Sequence, residues 1–105
     1  MTYDEIGFFV FGNVKKYKKH RIFMNEQKRL RNEKEYDKWI EQPNGGRIYS
    51  FEIVGRFGWV SKYLKETNAE ETTVKFWQEI YDEVGNLKEI HEKYPVDKGH
   101  QKYNL

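Results

Sequence analysis

From Arg47 to Tyr63 the chain alternates. In RIYSFEIVGRFGWVSKY the large apolar and aromatic side chains fall at Tyr49, Phe51, Ile53, Phe57, Trp59 and Tyr63, with Ser50, Glu52, Arg56, Gly58 and Lys62 between them. A period of two puts one set of side chains on one face of a β-strand. Gly55 and Gly58 mark a bend or bulge, so the stretch is one long curled strand or two strands in sequence. After the polar connection KETNAEE (65–71), TVKFWQEIY (73–81) reads as a strand with Val74, Phe76 and Ile80 on one face and Trp77 and Tyr81 on the other. Asp82–Asn86, with Gly85 available for positive φ, is a hairpin turn. LKEIHEKY (87–94) is the returning strand and Pro95 ends it.

The first half is less regular. IGFFVF (6–11) is a compact aromatic and β-branched run, followed by Gly12-Asn13 as turn punctuation, and HRIFM (20–24) reads as a second strand paired with it. Residues 26–42 lack Gly and Pro and are rich in helix formers. Asn32 as a cap, Glu33 and Glu35 in the first turn, and Tyr36, Trp39 and Ile40 at i, i+3, i+4 predict a short helix over 33–42. Pro43-Asn44-Gly45-Gly46 terminates it. The sum is a single α+β domain over 1–105: an antiparallel sheet of about five strands, one short helix packed on one face, and a polar tail at 96–105 that frays.

With 105 residues the chain suits one domain, and a thin aliphatic supply is offset by seven Phe, eight Tyr and three Trp. Phe57, Trp59 and Tyr63 are therefore read first as core, and second as the lining of a cupped sheet able to hold a small ligand. The absence of cysteine excludes disulfides, zinc–thiolate sites and cysteine nucleophiles. No apolar run approaches a membrane span, and the acidic start MTYDEIGFFVFGN does not read as a secretory signal. The expected location is cytoplasmic, with no membrane partner and no cofactor.

Charge is balanced overall but polarised along the chain. Residues 14–31 hold Lys15, Lys16, Lys18, Lys19, Arg21, Lys28, Arg29 and Arg31 against Glu26, a net +7, whereas 66–105 carry nine acidic residues and five lysines, a net −4. A basic stretch interleaved with aromatics suits a phosphate backbone. It also suits a solvated edge kept from pairing by its lysines.

The candidate chemistry lies in YDEVGNLKEIHEKYPVDKGH (81–100), which holds His91 and His100 among Glu89, Glu92, Asp97, Lys93 and Tyr94. Strand alternation places Glu89, His91 and Lys93 on one face. Two histidines nine apart form no recognised metal spacing, so no metal site is assigned. A ribonuclease-type reaction needs a base for the 2′-hydroxyl, an acid for the leaving group and a cation for the phosphate. His91, His100 and Lys93 have those chemical types, but nothing in their spacing brings them together.

The string W-Q-E-I-Y-D-E-x-G-N-L-x-E-I-H-E-K-Y-P-x-D-x-G-H resembles the C-terminal hairpin of a group of small prokaryotic proteins. It also resembles small toxin components of toxin–antitoxin modules, which end in a β-hairpin carrying Tyr-Asp followed by histidines. The likeness covers residues 76–100 and implies Tyr81, Asp82, His91 and His100 as positions of interest. Three readings follow. The first is a non-catalytic module binding nucleic acid through Lys15, Lys16, Lys18, Lys19 and Arg21. The second is a toxin-like ribonuclease using His91, His100 and Lys93. The third is a module for a partner protein. Oligomeric state is not legible from the residues.

Overall fold

A computed structural model describes residues 10–103, with side chains described from Lys19 onward. The fold class is α+β: the described residues form one helix, α1 (Val10–Glu35), followed by six strands, β1 (Lys38–Glu41), β2 (Arg47–Val54), β3 (Val60–Thr67), β4 (Thr73–Tyr81), β5 (Leu87–Tyr94) and β6 (His100–Lys102). The strands form one antiparallel meander in the order β1-β2-β3-β4-β5-β6. Backbone contacts divide the chain into two units, Met1–Asn32 and Glu33–Leu105, and the whole sheet belongs to the second. No described helix is long and apolar enough to cross a membrane.

The expected short helix at 33–42 is corrected in both directions. The helix lies upstream and ends at Glu35, and residues 38–41 are β1. The uninterrupted Lys-, Arg-, Gln- and Glu-rich run favours helix, and it carries HRIFM with it, so residues 20–24 are helical rather than a strand. Gly12 and Asn13, read as a turn, fall inside the first turns of α1. Most of the IGFFVF run, residues 6–9, lies outside the described residues. On α1, Ile22, Phe23 and Leu30 are exposed.

Pro43–Gly46 closes a β-hairpin rather than stopping a helix. Gln42 N–H donates to the Gly46 carbonyl at 2.9 Å, and Gly45, at φ 87°, donates to the Gln42 carbonyl. That turn pairs Trp39 with Tyr49 and Glu41 with Arg47. Cross-strand pairing thus overrides the local helix preference of Tyr36, Trp39 and Ile40, whose i, i+3, i+4 spacing does not separate helix from strand in so short a segment.

Residues 47–67 resolve into two strands, β2 and β3, joined by a tight 3-10 turn at Arg56–Gly58. The register pairs Tyr49 with Lys65, Phe51 with Tyr63 and Ile53 with Ser61, so the odd positions of both strands share one face. This face is extended by Phe76, Gln78 and Ile80 of β4, by Glu89, His91 and Lys93 of β5, and by His100 and Lys102 of β6.

Little of the sheet is closed core. Among the described residues the buried apolar side chains are Tyr36, Tyr49 and Leu64. Ring packing supplies the rest. Tyr36 meets Tyr49 and Phe51 at centroid distances of 5.8 and 5.4 Å, and Phe51 stacks on Tyr63 at 5.0 Å. The alternating aromatics do not pack against a helical stripe of Tyr36, Trp39 and Ile40: Tyr36 follows the end of α1 and meets Tyr49 and Phe51, while Trp39 meets Tyr49 from the neighbouring strand β1. Ile40 is exposed on the opposite face, and Ile53 and Phe57 are exposed as well. Arg47 anchors the β1–β2 edge. Its guanidinium donates to Glu33 at 2.6 Å, to Glu41 at 2.9 Å and to the Tyr49 hydroxyl at 3.3 Å, and that hydroxyl donates to Glu71 at 2.7 Å.

Candidate functional site: a histidine pair at the sheet edge

The tail expected to fray supplies the edge strand. After Pro95 the chain turns back, and β6 pairs with β5 so that His100 lies directly across from His91 and Lys102 across from Glu89. Asp97 closes the return. Its Oδ1 accepts the Gly99 backbone N–H at 2.9 Å and lies 2.6 Å from His91 Nε2. These contacts, the Gly99 N–H first and His91 after it, hold the Asp97 carboxyl below the usual carboxylate range.

The two imidazoles meet at a centroid distance of 4.5 Å with planes tilted by 52°. Each has its own carboxylate: His91 has Asp97, and His100 has Glu89, whose Oε1 is 2.8 Å from His100 Nδ1. An ionised carboxylate only accepts, so Nε2 of His91 and Nδ1 of His100 carry the hydrogens in these contacts. Nε2 of His100 is then the open nitrogen on an exposed ring. Nδ1 of His91 is buried without a hydrogen-bond partner, which leaves Nε2 as that ring's working nitrogen. Among the described residues no group of three or more His, Cys, Asp and Glu is arranged to hold a metal ion.

The pair ends a cross-strand row. In register, Phe51 faces Tyr63, Tyr63 faces Gln78, Gln78 faces His91 and His91 faces His100. The buried Gln78 amide donates to the Tyr63 hydroxyl at 3.2 Å and to Ser61 Oγ at 3.3 Å, tying the neighbouring side chains to one geometry. Lys93 shares this face but reaches inward, its ammonium 5.5 Å from the Tyr63 ring centre and 5.8 Å from that of Phe76. Lys102, opposite Glu89, is a second cation on the same face.

The other positions implied by the resemblance lie elsewhere. Tyr81 pairs with Val60 on the opposite face, and its hydroxyl donates to Glu79 at 2.7 Å. Burial first, and that carboxylate second, push its pKa up to about 12. Asp82 is built into the β4–β5 turn, where it accepts the backbone N–H groups of Val84 and Asn86. Neither joins the histidines. Lys15, Lys16, Lys18, Lys19 and Arg21 all fall on α1. Lys19 and Arg21 are exposed, and the side chains of the other three lie outside those described.

Comparison with family models, with curated proteins and with solved structures finds no match to this chain.

Proposed function

We propose that the protein cleaves single-stranded RNA by transesterification at the histidine pair. The observation that carries the reading is the pairing of His91 with His100, each ring held by its own carboxylate, on a face that also presents Lys93 and Lys102.

In this reading His100, oriented by Glu89, takes the proton of the ribose 2′-hydroxyl on Nε2 as the 2′-oxygen attacks phosphorus. The bond to the 5′-oxygen breaks, and the leaving oxygen takes a proton from Nε2 of His91 in its imidazolium form, which is left as the neutral ring with its hydrogen on Nδ1. Asp97, with its side chain 65% exposed, is the group that yields its place on that nitrogen to the substrate. Lys102 offsets the charge of the phosphate. The products are a 2′,3′-cyclic phosphate and a 5′-hydroxyl. The basic stretch of α1 adds a salt-sensitive attraction for any polyanion.

The test is an incubation of the full chain with single-stranded RNA and with DNA of the same sequence. The expected result is cleavage of RNA alone, ends carrying cyclic phosphate, and a loss of roughly 100-fold or more in His100→Ala and His91→Ala. Uncut RNA with folded wild-type protein, or undiminished cleavage by both variants, overturns the reading. A second reading rests on the exposed Lys19 and Arg21: nucleic-acid binding without cleavage. It predicts binding that weakens steeply with salt and disappears when Lys15, Lys16, Lys18, Lys19 and Arg21 are neutralised together.

A further inference from the structure

One row away from the histidines, the same face carries a feature that the proposed cleavage does not use. Arg56, Phe57, Trp59, Ser61 and Ile80, with Gly55, line a shallow pocket of about 400 Å³. Ile80 is the cross-strand partner of Glu89, the residue that holds His100, and Ser61 is the partner of Ile80. Strands in a sheet lie about 4.8 Å apart, so the pocket begins one strand from Glu89 and two from the β6 edge. That is a reach a single nucleoside spans.

We infer that this pocket receives the base of a nucleotide flanking the scissile phosphate, an inference that rests on the RNA-cleaving reading. Its walls have the needed chemistry. Ile80 and the Trp59 indole supply apolar and π surface, and Arg56 supplies a planar cation able to stack or donate to a base edge. Ser61 Oγ already accepts from the Gln78 amide, which leaves its own O–H to donate into the pocket. The Trp59 indole N–H donates to Glu83 at 3.1 Å, which favours one orientation of the ring at the pocket.

Phe57 is the most telling residue. It sits in the left-handed region at φ 59°, ψ 19°, and is 84% exposed at the mouth of the pocket. A phenylalanine gains nothing for the fold there: its backbone is strained and its ring is not buried. Glycine or asparagine fits that turn conformation at lower cost. A strained, exposed aromatic beside a cation and an indole fits a stacking role for a base.

The experiment uses the full chain and a short 2′-O-methyl RNA, which the proposed reaction cannot cut because its attacking oxygen is blocked. NMR follows the Trp59 indole and the Ser61 and Ile80 amides, and fluorescence gives the affinity. The expected result is shifts at all three positions and affinity lowered about tenfold in Phe57→Gly and in Arg56→Ala. Phe57→Gly should also melt no lower than wild type, since it relieves the positive-φ strain. A parallel series measures cleavage of RNA carrying one abasic residue beside the cut bond, in wild type and in Phe57→Gly. The abasic change should cost the wild type most of what Phe57→Gly costs on intact RNA, and cost the variant little more.

Trp59, Ser61 and Ile80 unmoved by the 2′-O-methyl RNA overturn the subsite. Normal RNA cleavage with equal abasic penalties in both proteins also overturns it, and leaves the cleavage reading standing. Shifts at the pocket with intact RNA left uncut keep the base site and remove the chemistry.

Discussion

Oε1 of Glu89 lies 2.8 Å from Nδ1 of His100, across the pairing of the last two strands. The contact occupies Nδ1 and leaves Nε2 of His100 as the nitrogen assigned the base role in the proposed reaction. Glu89→Gln keeps the shape but withdraws the charge that steadies the imidazolium formed on proton uptake. If the protein cleaves RNA as proposed, the expected outcome is a fall in kcat with KM nearly unchanged, and a smaller loss than in His100→Ala. Steady-state kinetics on a single-stranded RNA check both halves. A KM effect alone would make Glu89 a binding residue.

The loop that returns His100 to the sheet should loosen in acid. The Asp97 carboxyl is held below its ordinary range by the Gly99 N–H and then by His91. A carboxylate with a depressed folded pKa contributes stability above its unfolded value, near 3.9, and loses it as pH falls through the still lower folded value. The protection of the Gly99 amide, its exchange measured against the intrinsic rate at the same pH, should therefore fall below pH of about 3.9. Asp97→Asn should show the lower protection already at neutral pH. Acid-insensitive protection of the Gly99 amide would show that Asp97 does not close this turn.

Two glycines should differ in what they tolerate. Gly85 sits at φ 89° with open space where a Cβ would lie, so Gly85→Val meets backbone strain alone, about 1–2 kcal/mol. A Cβ on Gly46 would come 2.1 Å from the Thr67 carbonyl oxygen, which is backbone and cannot step aside. Gly46→Ala should therefore destabilise more than Gly85→Val although alanine is the smaller side chain. Denaturant melts of the two variants give the order, and the reverse order would discount the close approach of the β1–β2 turn to the end of β3.

Stability should track the buried ring rather than the larger aromatic cluster. Tyr49 is fully buried, and its hydroxyl joins Arg47 to Glu71. Tyr49→Phe should cost about 1–3 kcal/mol through that hydroxyl alone. Phe57→Ala should change stability by no more than about 0.5 kcal/mol, because its ring is exposed. Thermal unfolding of both tests the contrast. A large loss in Phe57→Ala would mean that the ring is core, as the alternation by itself suggests.

Alternation and turn residues were enough to find β2, β3, the β4–β5 hairpin and the α+β class, because period-two patterning and glycine-bearing turns are local signals. They also placed Glu89, His91 and Lys93 on one face. They misread residues 20–24 and 38–41, where Lys-rich helix-forming sequence and cross-strand pairing of Trp39 with Tyr49 outweigh short apolar runs. Alternation did not reveal that Phe57 leaves the strand pattern in a tight turn, since positive φ at a non-glycine is set by the chain on either side. The meeting of His91 and His100 was decided only by tertiary structure. It depends on Asp97 closing the Pro95–Gly99 return and on β6 pairing in one register with β5, and hydrogen bonds across that distance leave no periodic trace in the sequence.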